Sequence, residues 1–255
     1  MKPVLVIPTR YASTRLPAKA LRRIHGKPLV QHVYERALAA PGFEQVLIAT
    51  DDERIQVVCE GFGAEVCMTA VSHESGSDRL AEVVRRQGWA DERIVVNLQG
   101  DEPLTPVANL CQLAVNLDRH PEAMIATLAT PLQSTHELAD PNVVKVVRDH
   151  QGMALYFSRA PIPFQRDAGR ADSLDVSGYA LRHLGMYAYR AAFLKAFSGL
   201  KPCVLEQLEK LEQLRALYYS YPVHVAIARE IPGPGVDTEA DLQQVAALLA
   251  ASAEL

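Results

Sequence analysis

The chain has no Cys-x-x-Cys pair. Its four cysteines, Cys59, Cys67, Cys111 and Cys203, are dispersed, which argues against a zinc ribbon, a redox dithiol and a secreted disulfide framework. Long apolar runs are also missing. The amino-terminal stretch Val4 to Ile7 is broken by Pro8 and Arg10, well short of a signal-peptide core or of the roughly 20 residues that span a bilayer. A cytosolic protein is expected. There is no excess of positive charge: 26 Lys and Arg stand against 30 Asp and Glu, a formal net charge of -4. This balance does not suit a protein that lives by neutralising a nucleic-acid backbone, though it leaves room for a local basic cluster. Asn-x-Ser/Thr sites, solenoid-length repeats and low-complexity tracts are likewise lacking. What remains is 255 residues, 49% hydrophobic and 22% charged, enough to bury a large core. No shift in composition marks a boundary, so residues 1–255 are read as one domain.

The apolar pattern alternates between the two periods of a βαβ chain. A buried-strand run, Val4 to Pro8, precedes a helix from about Pro28 with Leu29, Val33, Tyr34, Ala37 and Leu38 on one face, stopped by Pro41-Gly42. Val46 to Ala49 then reads as a strand, and Ile55, Val58, Cys59 and Phe62 as a helix face. Glu65 to Met68, a helix from Ser77 to Arg86 and the run Ile94 to Leu98 continue the cycle. This is the pattern of a parallel sheet flanked by helices. Crowded strand-like runs at Met124 to Thr130, Val143 to Val147, Met153 to Phe157 and Leu184 to Tyr189 predict antiparallel additions and a mixed sheet. Between Pro161 and Tyr179 the composition turns to Pro, Gly, Asp, Arg and Ser, as in a long loop or projecting arm. Leucines 205, 208, 211, 214 and 217 predict a helix, Val223 to Ala228 a strand, and a last helix follows the Pro-Gly loop at 232–235.

Three short segments carry chemistry. The loop after the first strand, Ile7-Pro-Thr-Arg-Tyr-Ala-Ser-Thr-Arg-Leu-Pro-Ala-Lys-Ala-Leu21, gathers Arg10, Arg15 and Lys19 with the hydroxyls of Ser13 and Thr14. Loops at the carboxyl ends of strands are where α/β sheets bind ligands, and three cations there can hold a triphosphate through charge-assisted hydrogen bonds. A solvated basic loop is the bland alternative. The spacing is neither a Walker loop nor a dinucleotide fingerprint. In Asn97-Leu-Gln-Gly-Asp-Glu-Pro103, Asp101 and Glu102 sit in a turn after a strand, where a carboxylate can hold magnesium with one partner elsewhere. Asp237, in Gly235-Val-Asp-Thr-Glu239, is the natural partner; taken alone, helix capping by Asp237 or Thr238 explains that segment as well.

Taken together these segments resemble a sugar nucleotidyltransferase, and in particular the 3-deoxy-manno-octulosonate (Kdo) cytidylyltransferase family. The resemblance spans nearly the whole chain. Its further carriers are Ala49-Thr-Asp-Asp52, Ser75-Gly-Ser-Asp-Arg79, Leu155-Tyr-Phe-Ser-Arg-Ala160, Arg182-His-Leu-Gly-Met-Tyr187 and Leu211-Glu-Gln-Leu-Arg215. It implies a Rossmann-like nucleotidyltransferase fold with an antiparallel addition and a projecting arm. It also implies CTP and Kdo as substrates, magnesium as cofactor, and a role in lipopolysaccharide biosynthesis. By resemblance Arg10, Ser13, Arg15 and Lys19 hold the nucleotide phosphates and ribose, while Ser75, Gly76, Arg79 and Gln99 complete the nucleotide site near the base. Asp101 and Asp237 bind the metal, and with Lys19 form the catalytic set. Gln99, Arg159, His183, Tyr187, Glu212 and Gln213 hold the sugar acid, Arg159 pairing with its carboxylate. Read singly, His183, Tyr187 and Glu212 are equally residues of a core, a strand and an exposed helix face. The family is dimeric, which implies a homodimer formed through the arm within 161–183.

The reaction implied is in-line attack of the sugar's anomeric hydroxyl on the CTP α-phosphorus, with pyrophosphate leaving. Two anions must meet, so Arg10, Arg15, Lys19, Arg79 and Arg159 are expected around one cleft. The chain departs from the family pattern at Ala18 and Ala20, where glycine and proline are usual, and at Ser77, where threonine is commoner. If position 18 takes a positive φ, alanine costs about 1 kcal/mol there. Competing readings are CMP transfer to sialic acid or 8-amino-Kdo, a glycosyltransferase, which would need an Asp-x-Asp triplet that the chain lacks, and a non-catalytic nucleotide-binding protein acting through its arm.

Overall fold

The computed structural model describes residues 1–73, 75–166, 176 and 178–253. The chain enters as β1 (Val4–Pro8), passes a single 3-10 turn (Lys19–Leu21), and forms a small ribbon from β2 (Arg23–Ile24) and β3 (Lys27–Pro28) before α1 (Leu29–Leu38). There follow β4 (Val46–Thr50), α2 (Glu53–Gly61), β5 (Glu65–Met68), α3 (Gly76–Arg86), β6 (Ile94–Asn97) and α4 (Val107–Arg119). The second half contains β7 (Ile125–Pro131), α5 (Thr135–Ala139), β8 (Lys145–Arg148), β9 (Ala154–Ser158), β10 (Leu181–Arg190) and α6 (Ala191–Phe197). It ends in α7 (Val204–Glu209), α8 (Gln213–Tyr218), β11 (Val223–Ile227) and α9 (Glu239–Ala253).

Among the described residues, nine strands form one mixed sheet in the order β11-β7-β10-β6-β1-β4-β5, with β8 beside β10 and β9 outside β8. The pairs β1–β4, β1–β6, β4–β5 and β7–β11 are parallel, and β10 runs antiparallel to both β6 and β7. β1 can be apolar throughout because both of its faces are covered. Val4 and Val6 pack with Leu80, Val84 and Phe193 of α3 and α6; Leu5 and Ile7 pack with Val30, Val33, Leu110 and Leu113 of α1 and α4. From β1 the chain builds outward through β4 and β5, then returns to place β6 on the other side of β1. The carboxyl ends of β1 and β6 therefore part at a switch point, where open α/β sheets leave a crevice.

The expected single helix at 205–217 is two. Lys210 takes a left-handed conformation, φ 54, between α7 and α8. Leucines spaced by three drift off the 3.6-residue period, so one straight helix could not bury all five. After the break Leu211 and Leu214 are buried, while Leu208 stays 75% exposed. The helix α4 went unpredicted although Leu110, Leu113, Ala114 and Leu117 mark its buried face with the usual spacing. Most of the arm expected from Pro161 to Tyr179 lies outside the described residues; in the described part Phe164 is 84% exposed. No helix among the described residues is long and apolar enough to cross a membrane.

Two local features predict measurable stability effects. Ala18, which caps the 3-10 turn, has φ 53 and ψ 36, the left-handed region that a Cβ disfavours. Ala18→Gly is expected to raise unfolding free energy by about 1 kcal/mol in urea titration, and Ala18→Val to lower it. At the irregularity of β10 between Leu184 and Tyr187, the buried Thr127 hydroxyl lies 2.9 Å from His183 Nε2 and 2.7 Å from the Met186 carbonyl. Burial depresses the His183 pKa to about 3, so the ring stays neutral in the fold while the unfolded ring protonates near 6.5. Its contribution is complete above pH 6.5 and is lost as pH falls toward the folded value, about 2 kcal/mol between pH 7 and pH 5. His183→Gln should show a correspondingly shallower decline of the urea midpoint over that interval; an unchanged slope would contradict the assignment.

Candidate active site

A cleft of about 320 Å³ opens at the carboxyl ends of β1 and β6. The loop after β1 brings Arg10, Ser13, Arg15 and Lys19 to its wall; the start of α3 brings Ser75, Gly76 and Arg79; the turn after β6 brings Gln99 and Asp101; and Asp237 arrives from the segment before α9. All the residues expected at the nucleotide and the metal thus share one cavity. The loops after β1 and β6 are pressed together: a Cβ on Gly100 would stand 2.9 Å from Thr9 Cβ and 3.0 Å from the Pro8 carbonyl. Only glycine fits that approach. The Val236 amide donates to the Asp101 carbonyl at 2.8 Å and so fastens the third loop to the second.

The two aspartates meet on one ammonium. Lys19 Nζ donates to Asp101 Oδ2 at 2.5 Å and to Asp237 Oδ1 at 3.0 Å, and Arg15 Nη2 lies 3.0 Å from the same Asp237 oxygen. Partial burial disfavours the charged Lys19, but Asp101 and then Asp237 outweigh it and hold its pKa above the ordinary value. Asp237 is not engaged as a helix cap. The Thr238 and Asp237 amides both donate to Asp241, and the Asp241 amide donates to Thr238 Oγ1 at 3.3 Å, so Thr238 and Asp241 close the start of α9 between them. Beside Asp101, burial and the Asp101 charge push Glu102 up to about 7. Among the described residues no three His, Cys, Asp or Glu side chains converge, which excludes a closed all-protein metal cage there. Two carboxylates within reach of one cation, facing a cavity with room for phosphates and water, fit magnesium.

Arg79 lines the cleft, yet only 3% of it is exposed and its guanidinium is occupied by Asp51 Oδ2 at 2.8 Å and by the Thr69 hydroxyl. It shapes the wall at the ends of β4 and β5 as much as it offers charge. Asp51 and His73 are site residues that received no role from the sequence. His73 lines the cleft, and its Nε2 lies 2.5 Å from Glu82. Although burial favours the neutral acid, the Ala70 amide, His73 and Arg86 hold the Glu82 carboxyl down at about 2. Asp51 stood in a quoted motif; nothing in the order of residues shows that it meets Arg79.

A second, smaller cavity of about 20 Å³ lies behind the first turn of α3, lined by Ser77, Tyr187, Tyr189, Glu212 and Gln213 with Phe193 and Phe197. Ser75 and Gly76 face the large cleft and Ser77 the small one. The Ser77 hydroxyl donates to Glu212, whose pKa burial raises. The His183 ring stands 5.5 Å from that of Tyr187. Four of the sugar-side residues, His183, Tyr187, Glu212 and Gln213, therefore gather on this side of α3, whereas Gln99 faces the large cleft. Arg159 does neither. Its Nε donates to the Glu209 carbonyl at 2.7 Å and its Nη1 to the Pro141 carbonyl at 2.8 Å. The expected ring of five cations around one cleft is thus corrected to four, because the backbone carbonyls of Pro141 and Glu209 occupy the Arg159 guanidinium just beyond the end of β9.

The sequence model of the cytidylyltransferase family matches residues 4–228. The 3-deoxy-manno-octulosonate cytidylyltransferase of Thioalkalivibrio sulfidiphilus is 56% identical over 251 residues, covering 97% of this chain and 98% of that protein. The enzyme of the same name from Pasteurella multocida is 50% identical over 253 residues, covering 96% and 97%. A solved structure of CMP:2-keto-3-deoxy-manno-octonic acid synthetase complexed with CTP superposes with a TM-score of 0.90 at 44% identity, covering 99% of this chain and 100% of that one. A 4-diphosphocytidyl-2C-methyl-D-erythritol synthase, 14% identical with a TM-score of 0.63 over 97% and 98% of the two chains, shares the fold. The chain belongs to the 3-deoxy-manno-octulosonate cytidylyltransferase family.

Proposed function

We propose that this chain transfers the cytidylyl group of CTP to the anomeric hydroxyl of 3-deoxy-manno-octulosonate, giving CMP-Kdo and pyrophosphate for lipopolysaccharide synthesis. The observation that carries the reading is the convergence of Asp101 and Asp237 on Lys19 at a cleft walled by further cations. Asp101 and Asp237 would hold magnesium, which when bound supplies Lewis acidity and charge neutralisation at the phosphates. Arg10, Arg15 and Lys19 offset the triphosphate charge, and Ser13 adds a hydroxyl to the same wall. Once the aspartates have another cation, the Lys19 ammonium is free to pair with a phosphate oxygen.

The sugar acid is read into the side of α3 that holds Tyr187, Glu212 and Gln213, with His183 behind them and Gln99 at the boundary. No side chain need become a covalent nucleophile: nucleotidyl transfer depends on alignment of the attacking and leaving oxygens and on charge neutralisation. The glycosyltransferase reading is disfavoured because the chain lacks an Asp-x-Asp triplet. Residues 1–255 are read as one domain, cytoplasmic and paired as a homodimer through segment 161–183, in the described part of which Phe164 is 84% exposed.

Pyrophosphate release with CTP and magnesium should proceed with Kdo and run at background with sialic acid; equal rates would reassign the sugar. Asp101→Ala is expected to reduce turnover by about 10³-fold or more with an unchanged circular dichroism spectrum, since the lost group lies at the cleft and not in the core. Tight CTP binding without turnover by the wild-type protein would favour the non-catalytic alternative.

A further inference from the structure

The backbone of Arg159 is held from both sides by charge. On one side Glu209, the last residue of α7, receives Ser158 Oγ on Oε1 at 2.6 Å and the Arg159 amide on Oε2 at 2.9 Å. Arg159 returns the contact, its Nε donating to the Glu209 carbonyl at 2.7 Å. On the other side the Arg159 carbonyl accepts from Lys145 Nζ at 2.6 Å. Lys145 is wholly buried, and its remaining donors go to the Asp140 and Val143 carbonyls at 2.8 and 2.5 Å. Three carbonyls satisfy the three donors of an ammonium, which is what its burial requires.

Strand pairing does not call for this arrangement. The β8–β9 ladder ends at Lys145 and Ser158, one residue before Arg159. The charged groups grip the peptide that lies beyond the ladder, and charge-assisted bonds are the stronger kind. Directly after Glu209 the chain turns through left-handed Lys210 and delivers Glu212 and Gln213 to the small cavity.

We infer that Glu209 is a positioning residue: its carboxylate fastens the backbone at the end of β9 to the segment bearing Glu212 and Gln213, so that these two are held in place at the small cavity for the anionic sugar. The inference rests on the sugar site proposed above. The test is steady-state kinetics of the full-length protein with magnesium, each substrate varied at saturating levels of the other, for Glu209→Ala, Glu209→Gln and Ser158→Ala. Glu209→Ala should raise KM for Kdo about tenfold or more while KM for CTP moves by less than about twofold. Glu209→Gln, which keeps one acceptor oxygen, should recover part of the loss, and Ser158→Ala should show a smaller rise of the same selective kind. If Glu209→Ala does not fold, the other two variants decide by the same selectivity. Equal rises in both KM values, a fall in kcat alone, or wild-type values in the variants would overturn the role. Failure of the wild-type protein to turn over Kdo would remove the underlying reading as well, so the two failures are told apart by the wild-type control.

Discussion

One ammonium holds three distant parts of the chain at the cleft. Asp101 and Asp237 carry like charges, and two carboxylates brought together in a partly desolvated cavity repel unless a cation stands between them. Lys19 is that cation, 82 and 218 residues away from its partners in the sequence. The fold meets the demand by ending β1 and β6 side by side and by returning the chain, after β11, to hydrogen-bond the Asp101 carbonyl. Arg15 joins Asp237 from the same loop as Lys19, and next to this centre burial, with the Asp101 charge, raises the pKa of Glu102.

The strands and helices that position this centre were legible because burial writes its period into the chain. β1 is apolar at every residue since two helical layers cover it, and α3 is amphipathic since one layer does. The wall of the cleft was legible for a related reason: its residues lie in short segments that follow strands. What could not be read is where side chains are already committed. Arg159 has the composition of a carboxylate ligand, but only coordinates show that carbonyls of residues 141 and 209 occupy it. Arg79 and Asp51 are separated by 28 positions and meet because β4 and the start of α3 end at the same rim. The break at Lys210 was hidden by leucines whose regular spacing imitates a helix without matching its pitch.

The first turn of α3 has a double duty. Its Ser75 side chain accepts from the Asp78 amide at 3.1 Å and starts the helix, and successive residues of the turn then face different cavities. Such a division is possible only where side chains leave a helix at about 100° to one another. Ser77 supplies the hydroxyl that reaches Glu212 on the side of the small cavity.

The alternation of β1 between two cores bears on how the cleft withstands damage. Leu5 and Ile7 lean on one helical layer and Val4 and Val6 on the other, so the strand that supports the cationic loop is braced from opposite directions. A void opened beneath one layer leaves the opposite brace in place. Packing on both faces thus fixes the strand on which the floor of the cleft rests, a bracing that a sheet with one bare face would not possess.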